Sequence, residues 1–315
     1  NNILEDCIFT IAFGNMIKLK SWISEWSSLL SYHRVLYSKK GLRRRVYLTW
    51  ERYKNFIVDM DGVIYRGKYP LPGSDDFFRF LRERKSKIAF FSNNSTITKD
   101  QYVDKLKKMD IYAIKDEIIS SSSITAYYVA KENPQSKVFC IGEEGIRDEL
   151  KKNGIKIIDD SSREKVDLVI VGMDRHFNFD KLTKAMRHVL NGAQLYGTNP
   201  DLTYPMEDGL IPGCGAILAS IEACTDTKAK VFGKPRPESI QFLLEMTGFS
   251  IGDTILIGDR LDTDIVLAKQ QNIFSILVLT GVHQGEDVKK TGIIPDMIVE
   301  NLIELKKIML MKGET

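Results

Sequence analysis

From about Tyr53 onward, short apolar runs rich in β-branched and aromatic residues alternate with stretches whose apolar positions recur at helical spacing. That alternation predicts an α/β fold with a largely parallel sheet, because parallel strands need helical crossovers between them. Phe56 to Asp59, Lys87 to Ser92, Lys137 to Ile141, Leu168 to Val171, Val231 to Phe232, Thr254 to Gly258 and Ser275 to Leu279 read as strands. Thr98 followed by Gln101 is a capping-box signature for a helix running through Lys108. Arg236 to Met246 is apolar on one face and stops at Gly248.

Residues 1 to 50 break the pattern. Trp22, Trp26 and Trp50 all fall there, as does the basic run Arg43-Arg44-Arg45, so this stretch is expected to be an extension of the α/β body. It has one functional reading, an amphipathic basic segment for membrane association or targeting. Its plainer readings are a packing extension or an over-long gene start. Residues 1 to 55 hold ten Lys or Arg against four Asp or Glu, while the whole 315-residue chain is only +3. The body therefore gives no electrostatic case for a nucleic-acid partner. No run reaches the ~18 apolar residues that a membrane span requires. Cys7, Cys140, Cys214 and Cys224 have no close metal-type spacing, and so sparse a set favours a reducing, cytoplasmic setting. His33, His176, His188 and His283 form no zinc pattern.

Four segments carry candidate chemistry. In FIVDMDGVIYRG, Phe56 to Gly67, an apolar strand runs into Asp59 and Asp61, and Gly62 lets the chain turn. A calcium loop would need oxygen ligands where Val63 and Pro70 stand, which excludes it. IAFFSNNST delivers Ser92, Asn93 and Asn94 from strand to loop, a hydroxyl and backbone N–H groups suited to an anion. KVFGKPRPE sets Lys234 between Gly233 and Pro235. TILIGDRLDTDI ends a strand at Gly258-Asp259, with Asp262 and Asp264 close behind. Asp262 reads as a helix cap or a solvated charge, and Asp259 as a better metal ligand than cap.

Asp59, Asp61, Asp259 and Asp264 gathered around a phosphate dianion would repel one another unless a hard cation and a fixed positive side chain were present. Mg²⁺ and Lys234 supply that compensation, and phosphoryl transfer requires little beyond positioning, an in-line nucleophile and charge neutralisation. No Walker A loop is present, and Gly213-Cys214-Gly215 has Leu218 where a dinucleotide fingerprint wants its third glycine.

With these motifs in this order, the chain resembles the haloacid dehalogenase-like superfamily, and within it the NagD-like phosphatases with a large α/β cap. The likeness spans about Lys54 to Leu310 and rests on DMDG, FSNNS, GKPRP and GDRLDTD. It implies a Rossmann-like parallel-sheet core, residues 51–95 and 198–315, with an inserted α/β cap at 96–197 that closes over the site. It further implies Asp59 as nucleophile and Asp61 as general acid and base. Mg²⁺ would be held by Asp59, the Asp61 backbone carbonyl and Asp259, with Asp264 oriented beside it. Ser92, Asn93 and Lys234 would hold the phosphoryl oxygens. Asp174, Arg175 and His176 in GMDRHFNF are candidates for substrate contact; Asn199, Asp201, Gly213 and Gly215 are expected to shape the hinge and site wall. The implied substrate is a small phosphate monoester, and a homodimer through the cap fits the resemblance.

The same motifs admit rival readings. A dehalogenase on the same fold needs neither Asp61 nor Asp259. A phosphomutase shares the aspartyl-phosphate intermediate. A non-catalytic phosphometabolite-binding protein would bind an anion better without Asp59 and Asp61.

Overall fold

The computed structural model describes residues 50–159, 164–206 and 209–311. The extension, with its membrane-association reading, lies outside them except for Trp50, which is buried beside Tyr53 in the body. Along the chain the strands are β1 (Asn55–Asp59), β2 (Tyr65–Arg66), β3 (Tyr69–Pro70), β4 (Lys87–Ser92), β5 (Ile118–Ser120), β6 (Lys137–Ile141), β7 (Lys156–Ile157), β8 (Leu168–Val171), β9 (Gln194–Gly197), β10 (Thr203–Met206), β11 (Gly209–Pro212), β12 (Lys230–Val231), β13 (Thr254–Gly258), β14 (Phe274–Val278) and β15 (Met297–Val299).

Six of them form a parallel sheet in the order β15-β14-β13-β1-β4-β5. Every residue of β1 and β13 is buried, as expected for a parallel sheet covered on both faces. The two-residue alternation of side chains divides the core. Phe56, Val58 and Phe90 pack with Phe77, Phe78 and Tyr102 on one side. Ile57, Phe91 and Leu256 pack on the other with the helices Ser121–Glu132 and Pro237–Thr247.

A second parallel sheet, β12-β9-β8-β6-β7, shares that latter cluster through Val138, Cys140, Leu168 and Ile170. Its far face packs Phe139, Val169 and Leu195 on the helix Cys214–Thr225. β10 and β11 pair as a separate antiparallel hairpin. Among the described residues no helix is long and apolar enough to cross a membrane.

The expected insert of 96–197 and the second sheet are not coextensive. β5 lies within that range yet pairs with β4, Phe90 opposite Ile118, so the chain up to residue 120 belongs to the first sheet. Conversely β12, expected in the core, pairs with β9 in the second sheet. β5 is only three residues long and runs into the serine-rich start of a helix, which leaves it no strand signature. The expected helices fare better. Thr98 caps Lys99–Lys107 with a complete capping box, and Gly248, in the left-handed region at φ 66°, ends Pro237–Thr247.

Candidate active site

β1 sits between β4 and β13, and the chain builds the sheet outward from it in both directions. Such a reversal of strand order opens a crevice at the carboxyl ends of the strands. Asp59 is the last residue of β1, Ser92 the last of β4, and Asp259 directly follows β13. One cavity is lined by Asp59, Asp61, Ser92, Asn93, Lys234, Asp259 and Asp264, so all the residues expected at the centre of the site are brought together.

The turn after β1 is made by Met60, whose carbonyl accepts from the N–H groups of Val63, Ile64 and Tyr65. Gly62 takes φ 86°, and a side chain there would also run into the Asp259 carboxylate. The loop is thus shaped by the acid it faces. Asn93 joins two further segments: its Oδ1 accepts from Lys234 N at 2.9 Å, and its Nδ2 donates to Lys234 O at 3.0 Å and to Asp201 Oδ2 at 3.0 Å.

Lys234 Nζ donates to Asp59 Oδ1 at 2.5 Å, to Asp264 Oδ1 at 2.7 Å and to the Phe91 carbonyl at 3.1 Å. Burial acts to lower the lysine pKa, but Asp264 and Asp59 outweigh it and hold the ammonium above its ordinary range. Asp59 is pushed well up, by burial first and then against the pull of Lys234, with Asp264 and Asp259 adding repulsion. Asp259 is raised to about 7 by burial, then by Asp264.

Carboxylate oxygens of Asp59, Asp259 and Asp264 lie within 4.8 Å of one another. Asp259 Oδ2 accepts from Val282 N at 2.8 Å, whereas its Oδ1 is buried with no hydrogen-bond partner. An orphaned anionic oxygen facing two more carboxylates costs free energy unless a cation meets it. An all-oxygen donor set suits a hard cation such as Mg²⁺, so the residues fit the expected metal. Both Asp264 oxygens have protein partners: Lys234 on Oδ1, and Arg260 N and Thr263 Oγ1 on Oδ2 at 3.3 and 3.4 Å. The Asp264 carboxylate is therefore fixed in orientation beside Asp59 and Asp259. Asp262 is half-exposed and pairs with Arg260, matching its reading as a solvated charge.

The GMDRHFNF residues lie elsewhere. Asp174 is buried, accepting from Lys181 Nζ at 2.7 Å and His176 N at 2.8 Å. Arg175 pairs with Glu143 at 2.5 Å, and His176 lines a separate open cavity with Glu143 and Arg147. None of the three lines the cavity around Asp59, although Met173 just before them does. Asn199, Asp201 and Gly213 do line it; Gly215 instead lets the chain pass close to the Pro200 carbonyl.

Sequence reasoning missed Tyr204, on β10. Its hydroxyl donates to Asp61 Oδ1 at 2.6 Å. Burial, then the charge of Asp61, holds the phenol far above its ordinary pKa, so it stays a donor. The only signal was a lone aromatic in the polar stretch Thr198 to Tyr204, which does not by itself distinguish a site residue from packing.

A family model for haloacid dehalogenase-like hydrolases matches residues 56–156, and a second, HAD-hydrolase-like model matches residues 231–305. The acid sugar phosphatase of Staphylococcus saprophyticus is 33% identical over 257 residues, 82% of this chain and 98% of that protein. That of Staphylococcus aureus is 34% identical over 254 residues, 81% and 97% of the two chains. Among solved structures, the 4-nitrophenylphosphatase of Thermotoga maritima superposes with a TM-score of 0.78 at 33% identity, covering 84% of this chain and all of that one. NagD of Escherichia coli gives 0.73 at 30% identity, covering 80% and 98%.

Proposed function

We propose, since the chain belongs to the haloacid dehalogenase-like hydrolases and is a phosphoric monoester hydrolase, that it cleaves small-molecule phosphate monoesters through an aspartyl-phosphate on Asp59. Sugar phosphates and nucleoside monophosphates are the substrate class. The observation that carries this reading is the buried cluster in which Lys234 bridges Asp59 and Asp264 while Asp259 keeps an unpartnered oxygen.

An Asp59 carboxylate oxygen attacks phosphorus as the bond to the ester oxygen breaks, and Asp61 gives its proton to the departing alkoxide. Asp61 then takes a proton from water, whose oxygen attacks the same phosphorus. The acyl-phosphate bond breaks, inorganic phosphate leaves and Asp59 is restored. Ser92, the backbone N–H of Asn93 and Lys234 hold the phosphoryl oxygens. Asp59, the Asp61 carbonyl and Asp259 would hold Mg²⁺, with Asp264 beside them. When bound, the cation supplies charge neutralisation at the phosphoryl group. The charge balance supports hydrolysis over simple anion binding, because Asp59 and Asp61 would only repel a ligand that is not turned over. The sparse cysteines support a cytoplasmic setting.

The test is acid-quenched enzyme under turnover with p-nitrophenyl phosphate, with and without EDTA. The expected result is one phosphoryl group on the peptide carrying Asp59 and a loss of turnover with EDTA that added Mg²⁺ reverses. Full turnover in EDTA, or no adduct during rate-limiting hydrolysis of the intermediate, would overturn it.

A further inference from the structure

The two oxygens of the Asp61 carboxylate are held unequally. Tyr204 donates to Oδ1 at 2.6 Å, whereas the Tyr65 hydroxyl and Ser92 Oγ approach Oδ2 only at 3.5 Å. Tyr204 comes from the β10–β11 hairpin, 143 residues along the chain from Asp61.

The orientation of that phenol is set by its neighbours. Asn94 Oδ1 accepts from Thr96 N at 2.9 Å and Thr96 Oγ1 at 2.7 Å, which turns the amide so that Nδ2 donates to Tyr204 Oη at 3.1 Å. A phenol has one proton, and with its oxygen accepting from Asn94 that proton is directed at Asp61. Tyr102 adds a brace, donating to the Asn94 carbonyl at 2.8 Å. Thr96, Asn94 and Tyr204 thus form a relay of fixed dipoles ending on one oxygen of the carboxyl group.

We propose that Tyr204 is the positioning residue for Asp61, tying down Oδ1 so that Oδ2 is the oxygen that exchanges a proton with the leaving group. This rests on the reading of Asp61 as general acid. The hairpin that lines the cavity then also sets the aim of the acid on the first sheet. No atom of Tyr204 is required to touch the reacting phosphorus.

The consequence depends on the leaving group. A p-nitrophenolate is a weak base and departs with little help from a proton, whereas a sugar alkoxide is a strong base and needs it. Phosphoryl transfer to Asp59 is reported by kcat/KM, whatever limits kcat. Tyr204→Phe keeps the ring and removes only the hydroxyl. Its kcat/KM is expected to fall about 10- to 100-fold with ribose 5-phosphate and only about 2-fold with p-nitrophenyl phosphate, the larger loss being what a misaligned acid produces. Asp61→Asn, measured alongside, is expected to show the same ordering with larger losses. A split in Asp61→Asn with equal losses, or none, in Tyr204→Phe overturns the positioning role alone. An Asp61→Asn variant that loses both substrates equally overturns the acid reading and the role of Tyr204 with it. A circular-dichroism spectrum and a thermal melt of Tyr204→Phe matching those of the wild type control for folding.

Discussion

Lys234 and Lys181 each bond to an aspartate away from solvent, but the two surroundings are built differently. Lys181 meets Asp174 one to one, at 2.7 Å, and the neighbouring Arg175 meets Glu143 in the same way. Lys234 is shared between Asp59 and Asp264, with a third carboxylate, Asp259, close by and holding a buried oxygen without a partner. The second layer has closed these ion pairs; the carboxyl ends of the first sheet's central strands gather three buried carboxyl groups around one ammonium. Closed pairs do structural work, whereas buried carboxyl groups that outnumber their cations and carry raised pKa values mark a functional site.

The sharpest way to break this contrast is at Asp59. Asp59→Asn is expected to lower p-nitrophenyl phosphate turnover by a factor on the order of 10³ or more, since it removes the nucleophile itself. It should not lower Tm, because burial first, with repulsion from Asp264 and Asp259 behind it, outweighs the pull of Lys234 and already disfavours the carboxylate that it replaces. Residual turnover near the wild-type rate would put the chemistry elsewhere. Lys234→Ala comes next. Loss of a fixed cation from the phosphoryl site is expected to reduce kcat by about 10²- to 10³-fold. Here Tm should fall as well, because Asp59 and Asp264 lose their shared partner.

How much of this was legible in the chain follows the same division. Asp59, Ser92, Lys234 and Asp259 each stand at or just beyond an apolar run, where a strand end and a polar residue can be read together. The runs at Lys87–Ser92, Lys137–Ile141, Leu168–Val171 and Thr254–Gly258 coincide with β4, β6, β8 and β13. The wall was harder. Tyr204 acts through a hairpin of two four-residue strands and through Asn94, so its role depends on tertiary contacts that no local pattern announces. Asp174, Arg175 and His176, candidates for substrate contact, do not line the cavity around Asp59, and charged residues after a strand look alike in sequence whether they face a substrate or each other. Only the partners, Lys181 and Glu143, tell them apart.

A third substitution asks whether the closed pairs are purely structural. Lys181→Met is expected to lower stability by about 2–3 kcal/mol, because Asp174 would be left buried and without its cation. The kcat and KM for p-nitrophenyl phosphate should stay within about 2-fold, well short of the change that losing an interaction made in the transition state brings. A loss of turnover out of proportion to the loss of stability would restore the substrate-contact reading of Asp174 and erase the contrast between the layers.

Glu149 is the exception that tests the rule most finely. It lies on the helix Glu144–Lys152 beside the second sheet, is only 6% exposed, and has a buried Oε1 with no hydrogen-bond partner, as Asp259 Oδ1 does. Unlike Asp259 it belongs to no group of acids that could hold a cation among the described residues. Burial raises its pKa above the ordinary 4.5, with Lys99 and Lys152 pulling the other way. A carboxyl whose folded pKa exceeds its unfolded one binds more protons when folded. Stability is therefore lost as pH rises from 4.5 through the raised value, and at neutral pH the charged side chain weakens the fold. Glu149→Gln removes that charge. It is expected to stabilise the protein at pH 7 by about 1 kcal/mol, the scale of one unsatisfied buried group. The gain should shrink as pH falls toward the range where the wild-type carboxyl is itself protonated, with turnover unchanged throughout. Thermal melts of both proteins across that range measure the effect directly. A variant that is less stable at pH 7, or that loses turnover, would mean that an orphaned acid in the second layer has work to do, and that uncompensated charge marks more than the one site.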